Sequence, residues 1–142
     1  GFRSRSPNAM HRDFARDFDS LSAIYDFAEE ILEANDIGEA IRFPVHLAME
    51  EVFTNMVKYG PDTDGEIGVE VVVDSGAVTV TLTEDDVDEF DVTRPRDVDT
   101  NASLADRTPG GLGLHLLQNM VDNLEYQYAD RRSRVIFTKE SG

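Results

Sequence analysis

The chain of 142 residues contains no cysteine and no tryptophan. Without cysteine there is no disulfide framework, no thiolate zinc site and no cysteine nucleophile. Positive charge is scarce: 13 Lys and Arg stand against 29 Asp and Glu, for a formal charge of −16. Such a surface repels phosphate backbones and gains nothing from releasing their counterions, so no direct nucleic acid partner is expected. A basic protein partner suits it better. Long apolar runs are also missing. Nothing approaches the ~20 residues needed to span a bilayer, and Met10 is followed by charged residues rather than by a signal-peptide core. No membrane association is expected, and a cytoplasmic location follows. Histidine is sparse as well, and His11, His46 and His115 lack metal-ligand spacing and read as surface residues.

The segment Gly1 to Ala9 is basic, polar and unpatterned, and reads as an expression remnant. Setting it aside makes the balance more acidic still, about −18. Residues 10–142 are then enough for one domain with one core.

An alternating stretch from Arg12 to Phe18 predicts a strand. Asp19 or Ser20 then caps a helix implied by Leu21, Ile24, Tyr25, Phe27, Ala28, Ile31 and Leu32, which stops between Asn35 and Gly38. Phe43-Pro44 is expected to open a second helix with a core stripe of Val45, Met49, Val52, Phe53, Met56 and Val57, closed by Gly60-Pro61. Ile67 to Val73 and Val78 to Leu82 read as an antiparallel hairpin around Asp74-Ser75-Gly76. Residues Glu84 to Thr108 lack a period and read as a long loop. A third helix follows the glycines at 110–113, and strands at about Leu124 to Tyr128 and Arg134 to Thr138 flank a turn. The order β-α-α-β-β-loop-α-β-β predicts an α+β, two-layer α/β sandwich: a mixed, mostly antiparallel sheet with helices on one face.

Two segments carry chemistry. Glu51 and Asn55 lie four residues apart on the second helix, which places their Cβ atoms ~5–6 Å apart. A carboxamide oxygen is a ligand for magnesium, a hard cation that prefers oxygen donors, and a carboxylate beside it can accept a proton. Gly110-Gly111-Leu112-Gly113-Leu114 stands at a predicted helix start, where unpaired backbone N–H groups and a partial charge of ~+0.5 favour phosphate.

Glu51-Val52-Phe53-Thr54-Asn55 resembles the N box of GHKL (Bergerat-fold) ATP-binding proteins, and Gly110-Gly111-Leu112-Gly113-Leu114 resembles their G2 box. The nearest resemblance is to the stand-alone anti-sigma regulatory serine/threonine kinases, over about Arg12 to Lys139. The resemblance implies the histidine-kinase-like ATPase sandwich, with ATP and Mg2+ as cofactors. It implies Asn55 as the magnesium ligand, Glu51 as general base toward a substrate serine, and Gly110, Gly111, Leu112, Gly113 and Leu114 around the phosphates. Arg107 matches a frequent arginine that would meet phosphate. The implied partners are an anti-anti-sigma factor with a STAS domain and a sigma factor, and related proteins suggest a homodimer.

One element departs from the family pattern. Its usual Asp-x-Gly, whose acid receives the adenine amino group and whose glycine lets the base lie flat, is replaced by Glu84-Asp85-Asp86-Val87. Strand alternation selects Glu84 as the adenine-facing acid with Asp86 at the glycine position. Counting back from Phe90-Asp91 selects Asp85 with Val87 there. A one-residue bulge would reconcile the two. The family's histidine after the N box is also absent, with Tyr59 in that region. The alternative function is therefore a degenerate GHKL-fold protein-binding regulator with weak or no ATP binding.

Overall fold

The computed structural model describes residues 8–60, 64–91, 93 and 117–140. In chain order these form β1 (Ala9–Phe14), α1 (Ser20–Ala34), α2 (Glu39–Tyr59), β2 (Ile67–Asp74), β3 (Ala77–Asp85), β4 (Asn123–Ala129) and β5 (Arg132–Lys139), with a helical turn at 117–120 ahead of β4. The strands make one sheet in the order β1-β2-β3-β5-β4, and every pairing among them is antiparallel. Both helices pack against one face of this sheet, α1 on β1 and β2 and α2 on β3 and β5.

Alternation decides the faces. Ile67, Val69, Val71 and Val73 of β2, Val78, Val80 and Leu82 of β3, and Val135 and Phe137 of β5 point inward and are buried. They meet Ile24, Phe27, Ala28, Ile31 and Leu32 of α1 and Val45, Met49, Val52, Phe53 and Met56 of α2 in one apolar core. The outward positions of β3 are Thr79, Thr81 and Thr83, the pattern of a sheet with one solvated face. Ser75 and Gly76, and likewise Asp130 and Arg131, have positive φ, as two-residue hairpin turns require.

Several local expectations are corrected. Strand β1 runs from Ala9 to Phe14 rather than from Arg12 to Phe18, and Asn8 O accepts a 2.7 Å hydrogen bond from Val73 N. The cap of α1 comes from Asp17 rather than from Asp19 or Ser20: Asp17 Oδ1 accepts from Ser20 N at 3.1 Å and from Ser20 Oγ at 3.2 Å. That helix ends where expected, with Asp36 at φ 56° and Ile37 N donating to Leu32 O at 3.0 Å. Helix α2 starts at Glu39, five residues before Pro44, which lies inside it. The proline removes only the bond to Ala40 O, and Ala40 is exposed, where water satisfies the carbonyl. At the other end Gly60 is required by contact, since a Cβ there would sit 2.4 Å from Met56 O. His46 is not a free surface residue. It stacks on Tyr25 at 4.1 Å between ring centroids and lies 2.5 Å from Glu29 Oε2, tying α2 to α1.

Candidate functional site

The second half of α2 carries the first part of the site. Asn55 falls within the buried stripe and is 1% exposed. Its Nδ2 donates to Glu51 O, one turn back, at 2.6 Å, which fixes the carboxamide. Glu51 is half-buried, and loss of solvent raises its carboxyl pKa. The Asn55 side chain and Lys58 oppose that rise, and Glu50 adds to it. A carboxylate with a raised pKa next to an oriented carboxamide has the character of a proton acceptor beside a hard-cation ligand.

The end of β3 carries the second part. The register from Val78 to Asp85 against β5 is unbroken, so no bulge is present and alternation alone decides between the two acids. Glu84 points inward beneath the helices and is 1% exposed, and Asp85 points to the opposite face, where its Oδ1 lies 2.6 Å from Arg132 Nε. Asp86 has φ 56°, a left-handed backbone that favours glycine and that aspartate tolerates better than most residues. The residue two positions after the inward acid, the position of glycine in the Asp-x-Gly pattern, thus holds a backbone conformation that favours glycine.

Glu84 is held by an arginine that sequence reasoning missed. Arg16, in the connection between β1 and α1, donates from Nε to Gly65 O at 3.1 Å and from Nη1 to Met56 O at 3.2 Å. Its Nη2 reaches within 2.5 Å of Glu84 Oε2. This last contact is ionic rather than an aligned hydrogen bond, so both Glu84 oxygens are buried without a hydrogen-bond partner. Desolvation raises the Glu84 pKa, and Arg16 works against that rise. Ser133, the cross-strand partner of Glu84 on β5, is also buried with its hydroxyl unpartnered. Arg16 Nη2 lies beside Oε2, whereas Oε1 has no such neighbour among the described contacts. An unmet buried carboxylate oxygen is uncommon in a folded interior and fits a ligand that brings an N–H donor. Nothing in the sequence separates Arg16 from Arg12 or the neighbouring acids; only its reach across three elements does.

The acids after Glu84 are turned away from this point. Asp85, Asp86, Asp88 and Glu89 are exposed. Arg131 spans Asp86 at 2.8 Å and Asp88 at 2.9 Å, and its own pKa is raised by those two bonds. Val87 instead turns inward, its N donating to Arg131 O at 2.9 Å and its O accepting from Tyr128 Oη at 2.8 Å. The acidic segment is therefore pinned to the β4–β5 hairpin, with its charges in solvent.

Asn55 on α2 and Glu84 on β3 are thus both buried, and Arg16 links the last turns of α2, through Met56 O, to Glu84, while Asp85 lies on the far face. Arg107, Gly110, Gly111, Leu112, Gly113 and Leu114 lie outside the described residues.

Comparisons agree with this architecture. The solved structure of the RsbU and RsbW domains of Rv1364c from Mycobacterium tuberculosis matches with a TM-score of 0.67 at 14% identity, covering 94% of this chain and 32% of that one. At that identity the likeness shows the fold alone, and this chain spans about a third of that protein's length. No curated protein sequence matches. The family model described as a histidine kinase-like ATPase domain matches residues 14–139, from the end of β1 to the end of β5. On that match, over nearly the whole sheet and both helices, the chain belongs to the histidine kinase-like ATPase domain family.

Proposed function

We propose that this chain is an ATP-binding anti-sigma regulatory factor with serine/threonine kinase activity toward a STAS-type anti-anti-sigma partner. The observation that carries the nucleotide part is the Glu84 carboxylate, buried with unmet oxygens at the end of β3 and followed by a residue in the glycine-favouring conformation. An adenine amino group would supply the missing donor. Asn55 would ligate Mg2+, and Glu51 would take the proton of the substrate hydroxyl. When bound, Mg·ATP supplies the phosphoryl group and neutralises its developing charge. Gly110, Gly111, Leu112, Gly113, Leu114 and Arg107 would surround the phosphates. The similar solved structure contains an RsbW domain, which supports the regulatory half of this reading. The proposal further includes a sigma factor as second partner, a homodimer as the assembly and the cytoplasm as the location.

Calorimetry with Mg·ATP followed by incubation with a cognate partner tests the proposal. Micromolar binding and a phosphorylated partner are expected, with phosphorylation lost on Glu51→Gln and binding lost on Asn55→Ala. ATP binding without transfer to any partner would remove the kinase part.

A second reading, a protein-binding regulator without nucleotide, is favoured by the Arg16 contact that already occupies one side of Glu84. Micromolar ATP affinity would eliminate it.

A further inference from the structure

Resting on the nucleotide reading above, we propose that Arg16 is a positioning residue for base recognition: it holds one oxygen of Glu84 and leaves Oε1 as the single acceptor for an exocyclic amino group. Three observations carry this. The guanidinium is anchored at Gly65 O, Met56 O and Glu84 Oε2, one contact from each of three nitrogens, so its plane and the carboxylate it touches cannot rotate independently. Such a planar fork holds an orientation that a flexible ammonium does not. Both partners are buried, with Arg16 8% and Glu84 1% exposed at the side chain, so little water competes for the remaining oxygen. Finally, Glu84 Oε1 has no hydrogen-bond partner, whereas an acid serving structure alone would be expected to fill both oxygens.

The arrangement predicts a chemical preference. A 6-aminopurine presents a donor to Oε1, and a 6-oxopurine presents an acceptor oxygen at the same position. The site therefore prefers ATP to ITP by on the order of 10- to 100-fold, the range for one hydrogen bond to a charged group. Because Arg16 orients the carboxylate and touches no substrate, its loss lowers ATP affinity more than ITP affinity and collapses the ratio.

The test measures Kd for Mg·ATP, Mg·ITP and inorganic tripolyphosphate on the full chain and on Arg16→Met, Arg16→Lys and Glu84→Gln, with denaturation midpoints recorded for each. The expected result is a wild-type preference for ATP that Arg16→Met abolishes and Arg16→Lys restores in part, with tripolyphosphate affinity unchanged throughout. If Arg16→Met does not fold, the Arg16→Lys ratio decides the role of Arg16, and a lowered ratio is expected for Glu84→Gln, which weakens the acceptor itself. An unchanged ATP-to-ITP ratio in folded Arg16 variants would overturn the role of Arg16 while leaving nucleotide binding intact. A wild-type chain that binds tripolyphosphate and neither nucleotide would overturn base recognition altogether. Failure to bind all three would overturn the parent reading, and this inference with it.

Discussion

Two neighbouring acids, Glu84 and Asp85, each contact an arginine at nearly the same distance, 2.5 Å to Arg16 and 2.6 Å to Arg132. Their surroundings differ almost completely, with side-chain exposure of 1% for Glu84 and 68% for Asp85. The outer pair sits in water, where attraction is weak and screened by salt. The inner pair has lost its hydration, and each charge now depends on the other. Distance alone says little about what an ion pair contributes; burial decides it.

The largest effect expected from breaking this contrast is at Arg16. Arg16→Ala leaves Glu84 buried without a counter-charge and should cost about 3–5 kcal/mol, read from urea or guanidinium midpoints. The double replacement Arg16→Met with Glu84→Leu should regain most of that loss, because an apolar pair carries no desolvation cost. Recovery of less than half would show that the three anchors of Arg16, not its charge, hold the fold.

The pH dependence sharpens the contrast. The folded-state pKa of Glu84 is raised from 4.5, so the native state keeps its proton to higher pH than the unfolded chain does. The Glu84 contribution to stability is thus greatest below 4.5 and is lost as pH rises through the raised folded value. Glu51, shifted in the same direction, adds to this slope. Glu84→Gln should flatten the fall in stability above pH 4.5 relative to wild type, measured as denaturation midpoints across pH 4 to 7. Equal slopes would mean that the Glu84 pKa is not raised.

Asp86→Gly comes next. It relieves the positive-φ aspartate but loosens the unfolded chain, so stability should change by less than about 1 kcal/mol. Its larger effect should be tighter Mg·ATP binding, since a side chain leaves the position where the family has glycine. Weaker binding would show that Asp86 itself contributes to the site. The smallest change is expected from Asp85→Asn, within about 1 kcal/mol and shrinking further in salt. A cost comparable with that of Arg16→Ala would erase the distinction drawn between the two faces.

Much of the fold was legible because it follows from period. The helical stripe Val45, Met49, Val52, Phe53, Met56, Val57 and the alternation through β2 and β3 define their elements without knowledge of contacts, and the structure buries those residues, with Val57 half-buried at the margin. Helix boundaries were less legible. Pro44 reads as a helix start, but the first turn forms upstream from Gly38 because an exposed carbonyl tolerates a missing partner. Asp17 caps α1 from outside because Ser20 is turned back onto Ala15 O at 2.8 Å, a geometry set by the chain's exit from β1. Of the candidate site, the Glu51–Asn55 spacing is a local property of a helix and could be read directly. The choice between Glu84 and Asp85 could not, because two counts from two fixed points disagreed.

By itself, the sequence determined the order of elements, the core stripes, the acidic surface and the helical pairing of Glu51 with Asn55, all consequences of spacing and composition along one segment. Tertiary structure alone decided which acid of the Glu84-Asp85 pair lies inside, how Arg131 draws Asp86 and Asp88 into solvent, and that Arg16 reaches Glu84. Those depend on strand register and on side chains 43 to 68 positions apart meeting in the fold, and no local pattern encodes which distant residue supplies the counter-charge in a buried interior.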